Sequence, residues 1–89
     1  MRNGDVHHVP IEDFLDLHPF HPRDVPSVVQ EYVRAAHEAG YREVRLIHGR
    51  GTGIQRGIVQ SVLEKEPVVE SFHDAPDSHL GATVAVLTS

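Results

Sequence analysis

The 89-residue chain contains no cysteine, which excludes disulfides and thiolate metal sites and fits a reducing compartment. It has no apolar run near the roughly 20 residues of a membrane span. No hydrophobic stretch of the kind a secretory signal needs follows Met1-Arg2-Asn3-Gly4-Asp5. These absences predict a cytoplasmic protein with no membrane contact. Positive charge is scarce as well. Eight Lys and Arg stand against thirteen Asp and Glu, a net charge of −5, which argues against holding nucleic acid by bulk electrostatics. The phosphate-loop signature Gly-x-x-x-x-Gly-Lys-[Ser/Thr] is missing, and no register completes Gly-x-Gly-x-x-Gly. Length sets a further bound. A chain this short buries roughly 60–65% of its unfolded surface, so one domain with one modest core is expected.

What the chain does have is a glycine-rich stretch, Ile47-His48-Gly49-Arg50-Gly51-Thr52-Gly53, between an apolar run and an amphipathic segment. Glycine allows tight turns and close backbone approach to a ligand. A helix beginning just after such a loop aims unpaired N–H groups and the positive end of its dipole at an anion. Charge is distributed to match. Arg42, Arg45, Arg50 and Arg56 make the region around the loop locally basic, while the acids lie mainly in the first 38 residues and the last third.

The surrounding pattern predicts the order βαβαββ. Residues 1–11 read as a flexible tail and 12–89 as the domain. Phe14 to His18 alternates apolar and polar, the period of a half-buried strand. After Pro19 and Pro22, Val25, Val28, Val29, Tyr32, Val33 and Ala36 share a helical face, with Asp24 the expected N-cap and Gly40 the C-cap. Glu43 to Ile47 is a second strand. Ile54, Ile58, Val59, Val62 and Leu63 then recur at helical spacing until Pro67. Val68 to His73 and Ala82 to Leu87 are strands three and four. Two helix crossovers favour parallel pairing of the first three strands, and the short last connection favours an antiparallel fourth.

Asp16 and His18 fall on one face at the C-terminal end of strand one, where ligands gather in open α/β sheets. His48 and Arg50 leave the same end of strand two. If these strands are neighbours, a carboxylate, two imidazoles and a guanidinium converge beside a helix N-terminus. That set suits phosphodiester cleavage, with a histidine or Asp16 as base, the other histidine as acid, and Arg50 with loop amides holding charge on phosphorus. Each signal alone has a structural reading: a hydrogen-bonded histidine, a plain strand-to-helix turn, a solvated Arg56, an Asp16 that only accepts backbone bonds. Convergence is what joins them.

Eight histidines raise the question of metal. His18 and His21 straddle Pro19 without the i, i+4 spacing of a helical zinc pair, and His7-His8 belongs to the tail, so no dedicated metal site is expected. A Mg2+ ion recruited by Asp16 together with a substrate phosphate is the one cofactor the pattern admits, although a single carboxylate makes a poor cage.

Leu15-Asp16-Leu17-His18, His48-Gly49-Arg50-Gly51 and Gly81-Ala82-Thr83 together resemble the Smr (small MutS-related) domain, in the family's order and spacing, over roughly residues 12–88. The resemblance implies an α/β two-layer sandwich, a four-stranded mixed sheet with two helices, similar to the C-terminal domain of translation initiation factor three. It also implies nicking or endonucleolytic activity on DNA or RNA, found in some members. Asp16, His18 and His48 match the motif positions, Arg50 the variable, usually basic one, and Arg56 a basic residue common in the following helix. Pro19 and Ser78-His79-Leu80 depart from the glycines many members carry there.

The function expected from these readings is a phosphodiester-cleaving domain. Asp16, His18, His48 and Arg50 are its catalytic candidates, and Gly49, Arg50, Gly51, Thr52, Gly53 and Arg56 bind phosphate. The expected state is a monomer with a polynucleotide partner. A non-catalytic nucleic-acid-binding module and a protein-interaction domain are the alternatives.

Overall fold

A computed structural model describes residues 11–89; the tail read over 1–11 therefore lies almost wholly outside the described residues. The elements are β1 (Phe14–Asp16), a 3-10 turn (Pro22–Asp24), α1 (Val25–Glu38), β2 (Glu43–Ile47), α2 (Ile54–Lys65), β3 (Val69–Asp74) and β4 (Ala82–Leu87). This is the expected βαβαββ order in a two-layer α/β sandwich. Among the described residues no helix is long and apolar enough to cross a membrane.

The four strands form one mixed sheet in the order β1-β2-β4-β3. β1 and β2 are parallel neighbours, with Asp16 beside Ile47. β4 runs antiparallel to both β2 and β3, so β3 does not pair with β2 as the crossover argument predicts. Composition explains the insertion. β4, Ala-Thr-Val-Ala-Val-Leu, is buried along almost its whole length, as a strand covered on both faces must be. β3 carries Glu70, Ser71, His73 and Asp74 and is bulged between Val69 and Ser71, a polar and irregular strand suited to an edge.

The core lies between the sheet and the helices. α1 contributes Val25, Val29, Tyr32, Val33 and Ala36, at spacings of four, three, one and three; α2 contributes Val59 and Leu63; the sheet contributes Val44, Leu46, Ala85 and Leu87. A smaller cluster of Ala75, Ala82, Val84 and Ile47 seals the other side of β4. α1 stops at a left-handed Gly40 (φ +96°). There the Gly40 N–H donates to His37 O and the Tyr41 N–H to Ala36 O, a Schellman ending. At the other end the Asp24 side chain caps nothing. The preceding 3-10 turn already holds Asp24 in helical geometry, and His21 Nδ1 accepts the Arg23 N–H instead. Buried Glu66, beyond the end of α2, accepts from Arg34 at 2.8 and 3.1 Å and from Gln30 at 3.0 Å, tying the two helices together.

Candidate functional site

Because β1 and β2 are adjacent and parallel, the two motifs leave the sheet at one end. β1 stops at Asp16, two residues before the expected limit, and the chain turns with the Phe20 N–H donating to Leu17 O. The turn is fastened by Asp16, whose Oδ1 accepts the backbone N–H of His18 at 2.9 Å and lies 2.6 Å from His18 Nδ1. The backbone bond first, and the imidazole bond second, hold the Asp16 carboxyl below the usual carboxylate range. An ionised carboxylate can only accept, so His18 Nδ1 carries a proton, and in the neutral ring it is Nε2 that keeps the lone pair. Both side chains are more than half exposed.

His18 Nε2 lies against the glycine loop. A Cβ built on Gly49 would stand 3.0 Å from that nitrogen, and Gly49 has φ +83°. Glycine is favoured there twice over, by the left-handed conformation and by the close approach of the histidine. Gly51 and Gly53 also have positive φ, and Gly53 delivers the chain into α2. Among the described residues, the amides of 50 to 56 have no hydrogen-bonded acceptor, so a run of unpaired donors leads into the start of α2. The Gly49 amide is not among them. It donates to Gly81 O at 2.9 Å, alongside the His48 amide at 3.1 Å.

His48 points inward. It is 6% exposed, with Nδ1 2.9 Å from Gly49 O and Nε2 2.9 Å from Thr83 Oγ1. Arg56 also sits differently from a free phosphate ligand, pairing with Asp74 through bonds of 2.7 and 2.8 Å. Arg45 pairs with Asp77. Two of the four arginines around the loop are thus paired, while Arg42 and exposed Arg50 form no ion pair among the described residues. Its Cγ would be 3.4 Å from a Cβ at Gly81, which places it over the Gly81-Ala82-Thr83 segment. The loop before Gly81 holds His79 and Leu80 at φ +52° and +70°, a conformation unfavourable for side chains.

The fold thus brings together Asp16, His18, Gly49, Arg50 and the amides after it, and sets His48 and Arg56 behind them. Three polar residues behind the loop, Gln60, Asp74 and Thr83, carried no functional signal by residue type; only Thr83 stood in a motif. For a divalent cation the site offers one carboxylate, already engaged by His18. Among the described residues no three His, Cys, Asp or Glu side chains gather to hold an ion. The residues do not by themselves build a Mg2+ site.

Two helices over a mixed sheet, with an Asp–His pair facing a glycine loop across adjacent parallel strands, define a class of small α/β domain. The model of the Smr domain matches residues 15–88, and the chain belongs to that family. It is 40% identical over 86 residues to Endonuclease MutS2 of Halalkalibacterium halodurans, covering 94% of this chain and 11% of that protein. To the putative endonuclease MutS2 of Bacillus subtilis it is 38% identical, with the same coverage. The chain therefore spans about a tenth of the length of these relatives. Among solved structures, the Smr domain of Thermus thermophilus MutS2 superposes with a TM-score of 0.81 at 31% identity, over 88% of this chain and all of that one. YdaL, a stand-alone small MutS-related protein from Escherichia coli, shares the fold with a TM-score of 0.73 at 22% identity, over the whole of this chain and 78% of that one.

Proposed function

We propose that this domain binds a polynucleotide backbone at the glycine loop and cleaves it, His18 acting as general base. One observation carries the reading: Asp16 occupies His18 Nδ1 and leaves Nε2 facing the Gly49 loop. A base oriented by a carboxylate, next to free amides and an uncommitted arginine, suits in-line phosphoryl chemistry. Arg50 and the amides from Arg50 to Arg56 hold the scissile phosphate. His48 and Arg56 support the loop from behind.

A single base without a cation cage favours ribose. His18 Nε2 takes the proton of a 2′-hydroxyl, whose oxygen attacks the adjacent phosphorus. The P–O5′ bond breaks, and the departing oxygen takes a proton from water, leaving a cyclic phosphate. DNA lacks that internal nucleophile and would need an activated water. The endonuclease naming of the MutS2 relatives supports cleavage as a reaction class.

The test is incubation of the purified chain with single-stranded RNA and with supercoiled plasmid, each with Mg2+ and with EDTA. RNA cleavage that survives EDTA is expected. Asp16→Asn, which keeps the oxygen that accepts the His18 N–H, should lower it by about a hundredfold or more with only a small fall in Tm; activity lost only in step with unfolding would sink the proposal.

The second reading is a binding module that does not cut, and the inward-turned His48 favours it, since it removes the expected partner acid from the surface. Under that reading no product forms at any protein concentration. Under either reading, Arg50→Ala weakens binding and reduces the slope of log affinity against log salt by about one. An unaltered slope would assign the phosphate contact elsewhere.

A further inference from the structure

Behind the loop an unbroken chain of hydrogen bonds runs from the surface of α2 to Gly49. Arg56 donates to both Asp74 oxygens, at 2.7 and 2.8 Å. Gln60 Nε2 donates to Asp74 Oδ1 and to Thr83 Oγ1, each at 3.1 Å. Thr83 Oγ1 meets His48 Nε2, and His48 Nδ1 meets Gly49 O, both at 2.9 Å.

The proton positions follow from the two ends. A carbonyl oxygen only accepts, so His48 Nδ1 must carry a hydrogen. The Gln60 amide is a donor to Thr83, so the hydroxyl has its own hydrogen left to give, and His48 Nε2 is the acceptor within reach. Thr83 is wholly buried, and any other arrangement leaves its O–H without a partner out of water. Every group in the chain is satisfied in one direction only.

We propose that Thr83 and Gln60 are positioning residues of this site: they hold His48 as its Nδ1–H tautomer, and that N–H clamps the Gly49 carbonyl in the place His18 packs against. This role rests on the cleavage reading given above, but the tautomer itself does not. Three links connect Gln60 to the loop, and the last, Gly49, lies so near His18 that a Cβ there would stand only 3.0 Å from His18 Nε2. A ring that turned or changed tautomer would release the Gly49 carbonyl and loosen the surface that orients His18.

The experiment is a nitrogen-15 spectrum of the histidine rings in the full chain, with His48 identified by its loss in His48→Gln. Wild-type His48 is expected to show a protonated Nδ1 and an unprotonated Nε2. Thr83→Val, which keeps the shape but removes the hydroxyl, should abolish that signature, and Thr83→Ser should restore it. Gln60→Leu, on a partly exposed helix position, provides a second variant should Thr83→Val not fold, and is expected to shift the His48 resonances in the same direction. In RNA cleavage, Thr83→Val and Gln60→Leu should each lose about tenfold, with Thr83→Ser near wild type. A wild-type Nε2–H tautomer, or a His48 signature indifferent to both variants, overturns the proposal. The expected spectra without any cleavage by wild type would uphold the clamp and reject the catalytic reading.

Discussion

Asp16 does two jobs with one oxygen. It closes the turn after β1 through the His18 amide and sets the His18 tautomer through Nδ1. The L-D-x-H spacing made this pair legible, although the two meet across the turn that follows β1 and not on a shared strand face. The identity of the group across from it was not legible. That Gly49 touches His18 depends on how two strands register, and the contact yields a sharp expectation. Gly49→Ala places a methyl 3.0 Å from His18 Nε2 and forces alanine to φ +83°. Left-handed strain alone costs roughly 1–2 kcal/mol, so the variant should melt lower, and Asp16–His18 geometry should be lost with it. Thermal melts read the first; under the proposed function the second is read as a loss of RNA cleavage that persists at temperatures where the variant is still folded. An alanine variant with wild-type stability would mean the loop is free to move away.

At the level of elements, the helix-to-helix tie stands apart from the site. Glu66 is 4% exposed and depends on Arg34 and Gln30, with the Arg34 hydrogen bonds the first cause holding its carboxyl below the ordinary range. Removing Arg34 leaves a buried carboxylate with one donor. Hydrogen bonds to charged groups contribute about 1.5–3 kcal/mol, and the exposure of the Arg34 side chain moves the expectation for Arg34→Ala to about 1–2 kcal/mol. For a domain of this size that is a drop of roughly 4–8 °C per kcal/mol in Tm; no drop would make the pair a surface ornament. Element type and length were largely readable from apolar spacing: β2 and β4 fall on their expected limits, and both helices end at their breakers. Two of the differences have local reasons, the Asp16 turn shortening β1 and the 3-10 turn replacing the Asp24 cap; β3 begins and ends one residue later than expected.

For the whole molecule, Asp16, Glu66 and Asp74 all have carboxyls lowered by hydrogen bonds, from the His18 backbone, Arg34 and Arg56 respectively. A carboxyl lowered in the folded state stabilises fully above its unfolded value, and that contribution disappears as pH falls through the lowered one. Starting from ordinary values of 3.8 for Asp and 4.5 for Glu, Tm should hold from neutrality to about pH 5 and decline below it. Glu66→Gln should flatten the decline. A wild-type Tm unchanged well below pH 4 would deny these pairs a stabilising role.

The sequence by itself determined the element order, the helical core faces, the two motifs and the family they belong to, because each is written in spacings along the chain. Tertiary structure decided what those motifs face. It put β4 between β2 and β3, since only an apolar strand can be covered on both sides, and so brought Thr83 under His48. It turned His48 inward and bound Arg56 to Asp74, because a partner carboxylate or hydroxyl brought close by the sheet competes with any external ligand. Which histidine stays outside was a matter of neighbours from distant parts of the chain, and no local pattern encodes them.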